Sequence, residues 1–431
     1  MQLYERLGDA LLQGNTAVDA YRKAIAYWRR AVVQDPLVGG RLLRKLLMAY
    51  TRWNPWDVQA RPTQEELDGL LAEAQRLAEV AGDEDERWRV RLAGIRLLVW
   101  GGNSTVEEAE ERRVKALATA AYFEEQNDWV SFSEALNGYT VLSYRVGADH
   151  DALEASKRRL IVSDLPLIVR ADALQLMAAA LYYIGNFSRC IEIVREALAE
   201  LRPGEPVVHL DAAIAFAIWA ILFSGRWSDV NEFMPAIEDI WEQVQHGVGA
   251  NAHVAGGYVC ALHIALARED TARADAAVSV LEHCFSSEQV NARALLAAYR
   301  EDDPRHLNFD PSSDEWTAPM LMFLNERGIP APQVLIARLL ALISSLPFDQ
   351  LMRLLEIAEA LAQEDDVRLS MAIKEAEAHG LIAHSARMRI VLAQRTGDLK
   401  QLERARPVLE QSGDLQFLHR LEKVSAALDN D

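Results

Sequence analysis

Residues 182–198 read YYIGNFSRCIEIVREAL, a helical pattern that halts at Gly185 and restarts almost at once. Upstream, RADALQLMAAALYYI gathers Ala173, Leu174, Met177, Ala178, Leu181 and Ile184 on one face of a 3.6-residue helix. Downstream, Cys190, Ile191, Val194, Ala197, Leu198 and Leu201 repeat that stripe, with Arg189, Glu192, Arg195, Glu196 and Glu200 on the other face. Gly185 can take the left-handed conformation that ends a helix, Asn186 tolerates it, and Ser188 can cap the next one. The spacing predicts an antiparallel helix hairpin.

The punctuation recurs. Gly225-Arg226-Trp227 follows Gly185 by 40 residues, Gly147 precedes it by 38, and Gly397-Asp398-Leu399 sits in the same setting near the C-terminus. Weaker copies stand at Gly14-Asn15, Gly101-Gly102 and Arg268-Glu269-Asp270. Self-similarity at this period marks stacked helical hairpins, none of which can bury its apolar face without its neighbours.

Two stretches carry a resemblance. The G-N-F turn followed by Cys190, Val194 and Ala197, and the N-terminal YERLGDALLQGNTAVDAYRKAI with Tyr4, Leu7-Gly8, Leu11, Ala17, Tyr21 and Ala24, resemble the tetratricopeptide (TPR) pattern. The Leu-Gly pair is missing from the later copies and the spacings exceed the usual repeat of roughly 34 residues, so the resemblance is to a divergent TPR-like superfamily. It is similar to the helical sensor regions of MalT-like regulators and of bacterial signalling ATPases, most of all in HSARMRIVLAQRTGDLKQLERARPVLEQSGDLQFLHRLEKV. The fold it implies is an all-α, right-handed superhelical solenoid of about ten or more antiparallel helix hairpins.

Composition agrees with a folded solenoid. Of 431 residues half are hydrophobic, with 22 Gly and 14 Pro, so the chain has ample apolar surface to bury. Its longest apolar run, Ala212 to Phe223, is too short for the roughly 20 residues that span a bilayer. MQLYERLGDALLQGN lacks the basic and apolar regions of a secretory signal, and Cys190, Cys260 and Cys284 lie within helical patterns, so the expected location is cytoplasmic. A formal charge of −19 opposes binding to nucleic acid, whose affinity comes from neutralising phosphates.

Prolines interrupt the array twice. Pro304, Pro311, Pro319, Pro330 and Pro332 predict an irregular connector over 301–333, between TPR-like repeats at 1–300 and C-terminal helical repeats at 334–431. Alternatively, Trp316, Met320, Met322 and Phe323 give that stretch an apolar face fit to cover a groove. Asn54 to Thr63, with Pro55 and Pro62, predicts one lengthened inter-helix loop.

Catalytic and cofactor motifs find no support. Gly247-Val248-Gly249-Ala250-Asn251-Ala252 fits G-x-G-x-x-A, but EDIWEQVQH before it reads as helix where a dinucleotide site needs a strand. His246, His253, Cys260 and His263 would converge on an unbroken helix, yet Gly247, Gly249, Gly256 and Gly257 interrupt it and no metal spacing accompanies them. Acidic pairs such as Glu107-Glu108 and Asp302-Asp303 alternate with Lys and Arg on solvated faces. No phosphate-binding loop, nucleophile elbow or activated cysteine is present, and His283-Cys284 lies in an amphipathic helix. The sequence therefore implies a non-enzymatic protein without cofactor or metal.

In TPR-like arrays the first helix of each hairpin lines a concave groove. Carried onto this chain, the groove offsets fall on Arg89, Arg96 and Trp100, on Asn137, Tyr144 and Arg145, on Gln175, Tyr182 and Tyr183, and on Trp219 and Tyr258. Trp219, with Phe223, lies in the most apolar helix and reads as core before it reads as groove. Rings with interspersed Arg and amides suit recognition surfaces, so the expectation is a scaffold for a protein or peptide partner. The alternative is the sensor segment of a larger regulator, with Arg89, Arg96 and Arg145 receiving a small acidic ligand.

Overall fold

The computed structural model describes residues 1–11, 14–51, 62–100, 105–163, 165–200, 210–245, 252–284, 286–301, 317–345 and 349–429. Among the described residues the chain forms 22 α-helices, a short 3₁₀ turn at Trp227–Asp229 and no strand. In order these are α1 (Gln2–Leu11), α2 (Gly14–Arg29), α3 (Pro36–Thr51), α4 (Gln64–Ala81), α5 (Glu84–Trp100), α6 (Val106–Glu125), α7 (Trp129–Arg145), α8 (Asp149–Ile161), α9 (Leu167–Tyr183), α10 (Phe187–Glu200) and α11 (Asp211–Ser224). There follow α12 (Val230–Gln245), α13 (Ala252–Ala267), α14 (Thr271–Cys284), α15 (Ser286–Glu301), α16 (Thr317–Asn325), α17 (Gln333–Ser345), α18 (Asp349–Ala362), α19 (Asp366–Ala378), α20 (Ile382–Thr396), α21 (Leu399–Ser412) and α22 (Leu415–Leu428). No helix among the described residues is long and apolar enough to cross a membrane.

The turns explain the periodicity. Gly147, Gly185, Gly225 and Gly397 adopt φ of 70°, 74°, 77° and 74°, the left-handed conformation that closes a helix. Asn127, Glu269 and Glu364 take the same conformation without being glycine. Around both kinds of turn the same reverse bond forms: Asp128 N–H donates to Phe123 O, Asn186 N–H to Leu181 O, Asp270 N–H to Ala265 O and Asp365 N–H to Ala360 O. One turn geometry is therefore written in several residue types.

Packing is that of a solenoid of hairpins. Most helices pack on the next, and first helices of successive hairpins also touch, as in α3 with α5, α5 with α7, α11 with α13 and α20 with α22. Gly8 shows why the TPR-like Leu-Gly pair matters: a Cβ there would lie 2.6 Å from the Tyr21 ring, so only glycine lets α1 approach α2 this closely.

The chain divides into two compact units, Met1–Ala173 and Leu174–Asp431, with the division inside α9. This differs from the expected division at 301–333. Within that stretch Thr317–Asn325 is helical and buried throughout, not irregular, and Met320, Met322 and Phe323 are core. Pro319 falls in the first turn of α16, where a missing N–H breaks no intrahelical bond. Residues 302–316, and 52–61 of the other proline-rich stretch, lie outside the described residues.

The second unit has a feature absent from a simple array. α16, α20 and α22 pack against α11 and α13, far from them in sequence. The Gln350 amide donates to the carbonyls of Tyr182 (2.7 Å) and Tyr183 (3.2 Å) at the end of α9, and Arg268 donates to Ser412 O at 2.9 Å. A Cβ on Gly185 would stand 2.8 Å from His379 O. Later repeats thus fold back on earlier ones.

Candidate binding groove

In the first unit the hairpin-leading helices α1, α3, α5 and α7 frame a cavity of about 400 Å³. Its wall carries both signs, in Asp9, Arg44, Lys45, Arg89, Asp128 and Glu134, with Tyr21 and Ser131 between them and Met48, Ala49, Leu92 and Val130 as apolar patches. Each cation reaches it from a helix whose opposite face is core, so the charged heads extend past Leu42, Leu43, Leu46, Leu47, Val90 and Ala93.

The charges are matched locally. Arg44 meets Glu86 at 2.7 Å, Lys45 meets Glu5 and Asp9 at 2.8 Å, and Arg89 meets Asp85 and Asp128 at 2.8 Å. Burial opposes the charged form of Arg89, but the Asp85 and Asp128 carboxylates outweigh it and raise the pKa. Burial likewise works against the Asp128 anion, yet the Ser131 N–H and hydroxyl, with Arg89, hold its pKa below the usual carboxylate range. Over the unit the balance is close, with 23 basic and 27 acidic residues, against 22 and 37 in the second unit.

Of the residues expected in the groove, Arg89 lines this cavity. Arg96 and Asn137 do not: both are buried, joined to each other, with Asn137 Nδ2 donating to Asp172 Oδ2 at 2.6 Å. Arg159 completes that network through Asp172 and Ser133. Glu134, 3.5 Å from Arg96 Nε, links it to the cavity wall. These two residues therefore support the groove from behind, because an interior Arg is tolerable only when carboxylate and amide oxygens surround it. The side chain of Trp100 lies outside the described residues. Tyr144 is buried, and half-buried Arg145 has its pKa lowered by burial first and by Arg112 second.

The remaining expected residues belong to the second unit. Gln175 is half-buried on α9. Tyr182 packs among Tyr183, Phe187, Phe216 and Phe223, and Trp219 stacks on Phe223 at 5.8 Å. Tyr182, Tyr183 and Trp219 therefore form one aromatic cluster. Tyr258 lies elsewhere, in a cleft between α12, α13 and α14. Of the residues considered for a metal, His246 lies outside the described residues, as does the side chain of His253. Buried His263 bonds Tyr299 and Arg387.

Sequence reasoning missed Arg44, Lys45, Asp9, Asp128 and Glu134. A signal existed in VGGRLLRKLLMAY, where Arg41, Arg44 and Lys45 interrupt an otherwise apolar helix. Asp128 had none, because its turn contains Asn127 instead of glycine.

The chain matches no protein-family model, and no curated protein matches it. Among solved structures it is similar to "Crystal Structure of Rap Protein Complexed with Competence and Sporulation Factor", at 12% identity and a TM-score of 0.47, over 96% of this chain and 99% of that one.

Proposed function

We propose that this chain is a non-enzymatic interaction scaffold that holds an extended peptide segment of a protein partner against α1, α3, α5 and α7. The supporting observation is the 400 Å³ cavity walled by three cations and three carboxylates on four helices. The pairs of Lys45 with Asp9 and of Arg89 with Asp85 and Asp128 are partly exposed, and such pairs are worth about 0–1 kcal/mol each. They can exchange partners with an incoming peptide at little cost, so the wall suits a segment of alternating charge. A small acidic ligand, as in the sensor-segment reading, would have to displace the carboxylates already on Arg44, Lys45 and Arg89 and is the less favoured alternative. A cytoplasmic setting is in keeping with buried, free Cys190 and Cys260.

Fluorescence anisotropy with labelled peptides of alternating Lys and Glu, of Glu alone and of Lys alone tests the proposal. The alternating peptide should bind best, and Arg89→Ala and Glu134→Gln should each weaken it by about tenfold, equivalent to about 1.4 kcal/mol. Arg158→Ala, away from the groove, should not. Equal binding of the three peptides, or indifference to both groove substitutions, would refute it.

A further inference from the structure

The cleft that holds Tyr258 is chemically unlike the polar groove. It encloses about 270 Å³ between α12 and α14, with α13 as its floor. Tyr258, Ala261, Ile264 and Ala265 form the floor, Met234 and Pro235 one wall, and Ala276 and Ala277 the other. Pro235 lies inside α12 and cannot donate to its backbone ladder. The small alanines opposite leave the space unfilled.

Charge is confined to the ends. The helices run antiparallel, so Val230 and Asn231 at the start of α12, Arg268 at the end of α13 and Arg273 in the first turn of α14 meet at one end, while Glu238 and Tyr258 lie toward the other. Arg273 Nη1 donates across that first end to Asn231 Oδ1 at 2.7 Å, a bridge from α14 to α12 that closes it. Asp270 stands 3.4 Å from Arg273 Nε and only partly offsets the two guanidinium groups. From Tyr258 to Arg268 the floor spans roughly 15 Å at 1.5 Å per residue.

We infer that this cleft binds a small amphipathic carboxylate, with an unbranched apolar chain along α13 and the carboxylate between Arg268 and Arg273. An apolar trough left to water is unfavourable, and an alkyl chain laid along it withdraws apolar surface from water on both sides. Arg268 gives Nε and Nη2 to Ser412 O, so an anionic head at this end would meet its Nη1 and the Arg273 guanidinium, cations that favour a carboxylate. The volume suits one chain and not a helix. Burial first, and the neighbouring Arg273 charge second, lower the Arg268 pKa, so an anion at that end would relieve both cations. The site lies in the second unit and does not depend on the peptide groove.

Titration calorimetry with decanoate, decanol and decyltrimethylammonium below their micellar concentrations tests it. Decanoate should bind one per chain and at least tenfold more tightly than decanol, with no binding of the cation. Arg273→Ala should remove the advantage of decanoate over decanol, leaving decanol unchanged. Ala276 is already exposed, so Ala276→Trp fills the cleft without entering the core and should abolish binding of both while the circular dichroism melt is preserved. Decanoate binding no better than decanol, or binding undiminished in folded Ala276→Trp, would overturn the inference.

Discussion

At the scale of single residues, two glycines with the same backbone conformation should differ in their tolerance of a methyl group. Gly185 and Gly397 both have φ of 74°, so alanine at either costs about 1 kcal/mol for the left-handed backbone. Around Gly397 nothing lies within 4 Å of an added Cβ, whereas at Gly185 it would meet the His379 carbonyl at 2.8 Å. Gly397→Ala should therefore lose only the conformational cost, and Gly185→Ala a further 1–3 kcal/mol or so from overpacking. Urea midpoints at unchanged slope would measure both, and equal losses would contradict the close approach. The sequence marked both glycines as turns. It gave no sign that one of them touches a backbone almost 200 residues away, because that neighbour is set by packing and not by local pattern.

At the scale of elements, a buried charged cluster joins α13, α15, α16, α20 and the turn before α22. Arg387 Nε donates to Asp414 at 2.6 Å and its Nη1 to Glu326 at 2.7 Å, with His384 on the other Glu326 oxygen at 2.9 Å. His263 bonds Tyr299 and Arg387, and the Trp227 and Phe417 rings flank the guanidinium. Removing one partner from such a set leaves uncompensated buried charge, so Arg387→Met should cost about 3–5 kcal/mol, measured by chemical denaturation. Substituting Arg387, Glu326 and Asp414 together by apolar residues should cost less than the single change.

The cluster also sets a pH dependence. Burial alone would raise the Glu326 pKa, but Arg387 first and His384 next hold it at about 2, and burial lowers His263 to about 3. Both groups take up protons more readily in the unfolded chain. Their contribution is full above the ordinary His value of about 6.5 and is lost as pH falls, through His263 between about 6.5 and 3 and through Glu326 between about 4.5 and 2. Asp414, raised by burial, acts in the opposite sense and offsets part of the loss. The melting temperature should fall from pH 7 to pH 4, and His263→Asn should flatten that slope. A melting temperature flat over this range would contradict it.

At the scale of the whole molecule, each unit of the all-helical repeat chain is best read by itself. In the second unit one helical face is covered by the chain itself, where α20 and α22 meet α11 and α13. A protein ended after Glu301 should expose buried Phe223 and other residues of the covered face, and bind a dye such as anilinonaphthalene sulfonate that the full chain excludes. Unchanged dye fluorescence would mean that the earlier repeats bury those residues unaided. In the first unit, weakening of the alternating peptide with rising salt, as expected for half-exposed charges, would accompany binding in the groove.

The helical class, the hairpin period and the glycine turns at 147, 185, 225 and 397 were all legible along the chain. These depend on local terms: a 3.6-residue apolar stripe and a residue free to adopt positive φ. The same pattern gave Arg89 a place on the groove. It put Arg96 and Asn137 there too, although packing buries both, and it singled out none of Glu326, Arg387 and Asp414. Long-range packing settled those cases, because whether a polar side chain faces water or a buried partner depends on which distant helix covers it. Gln350 and Tyr182 lie 168 residues apart, and no local periodicity encodes such a pairing.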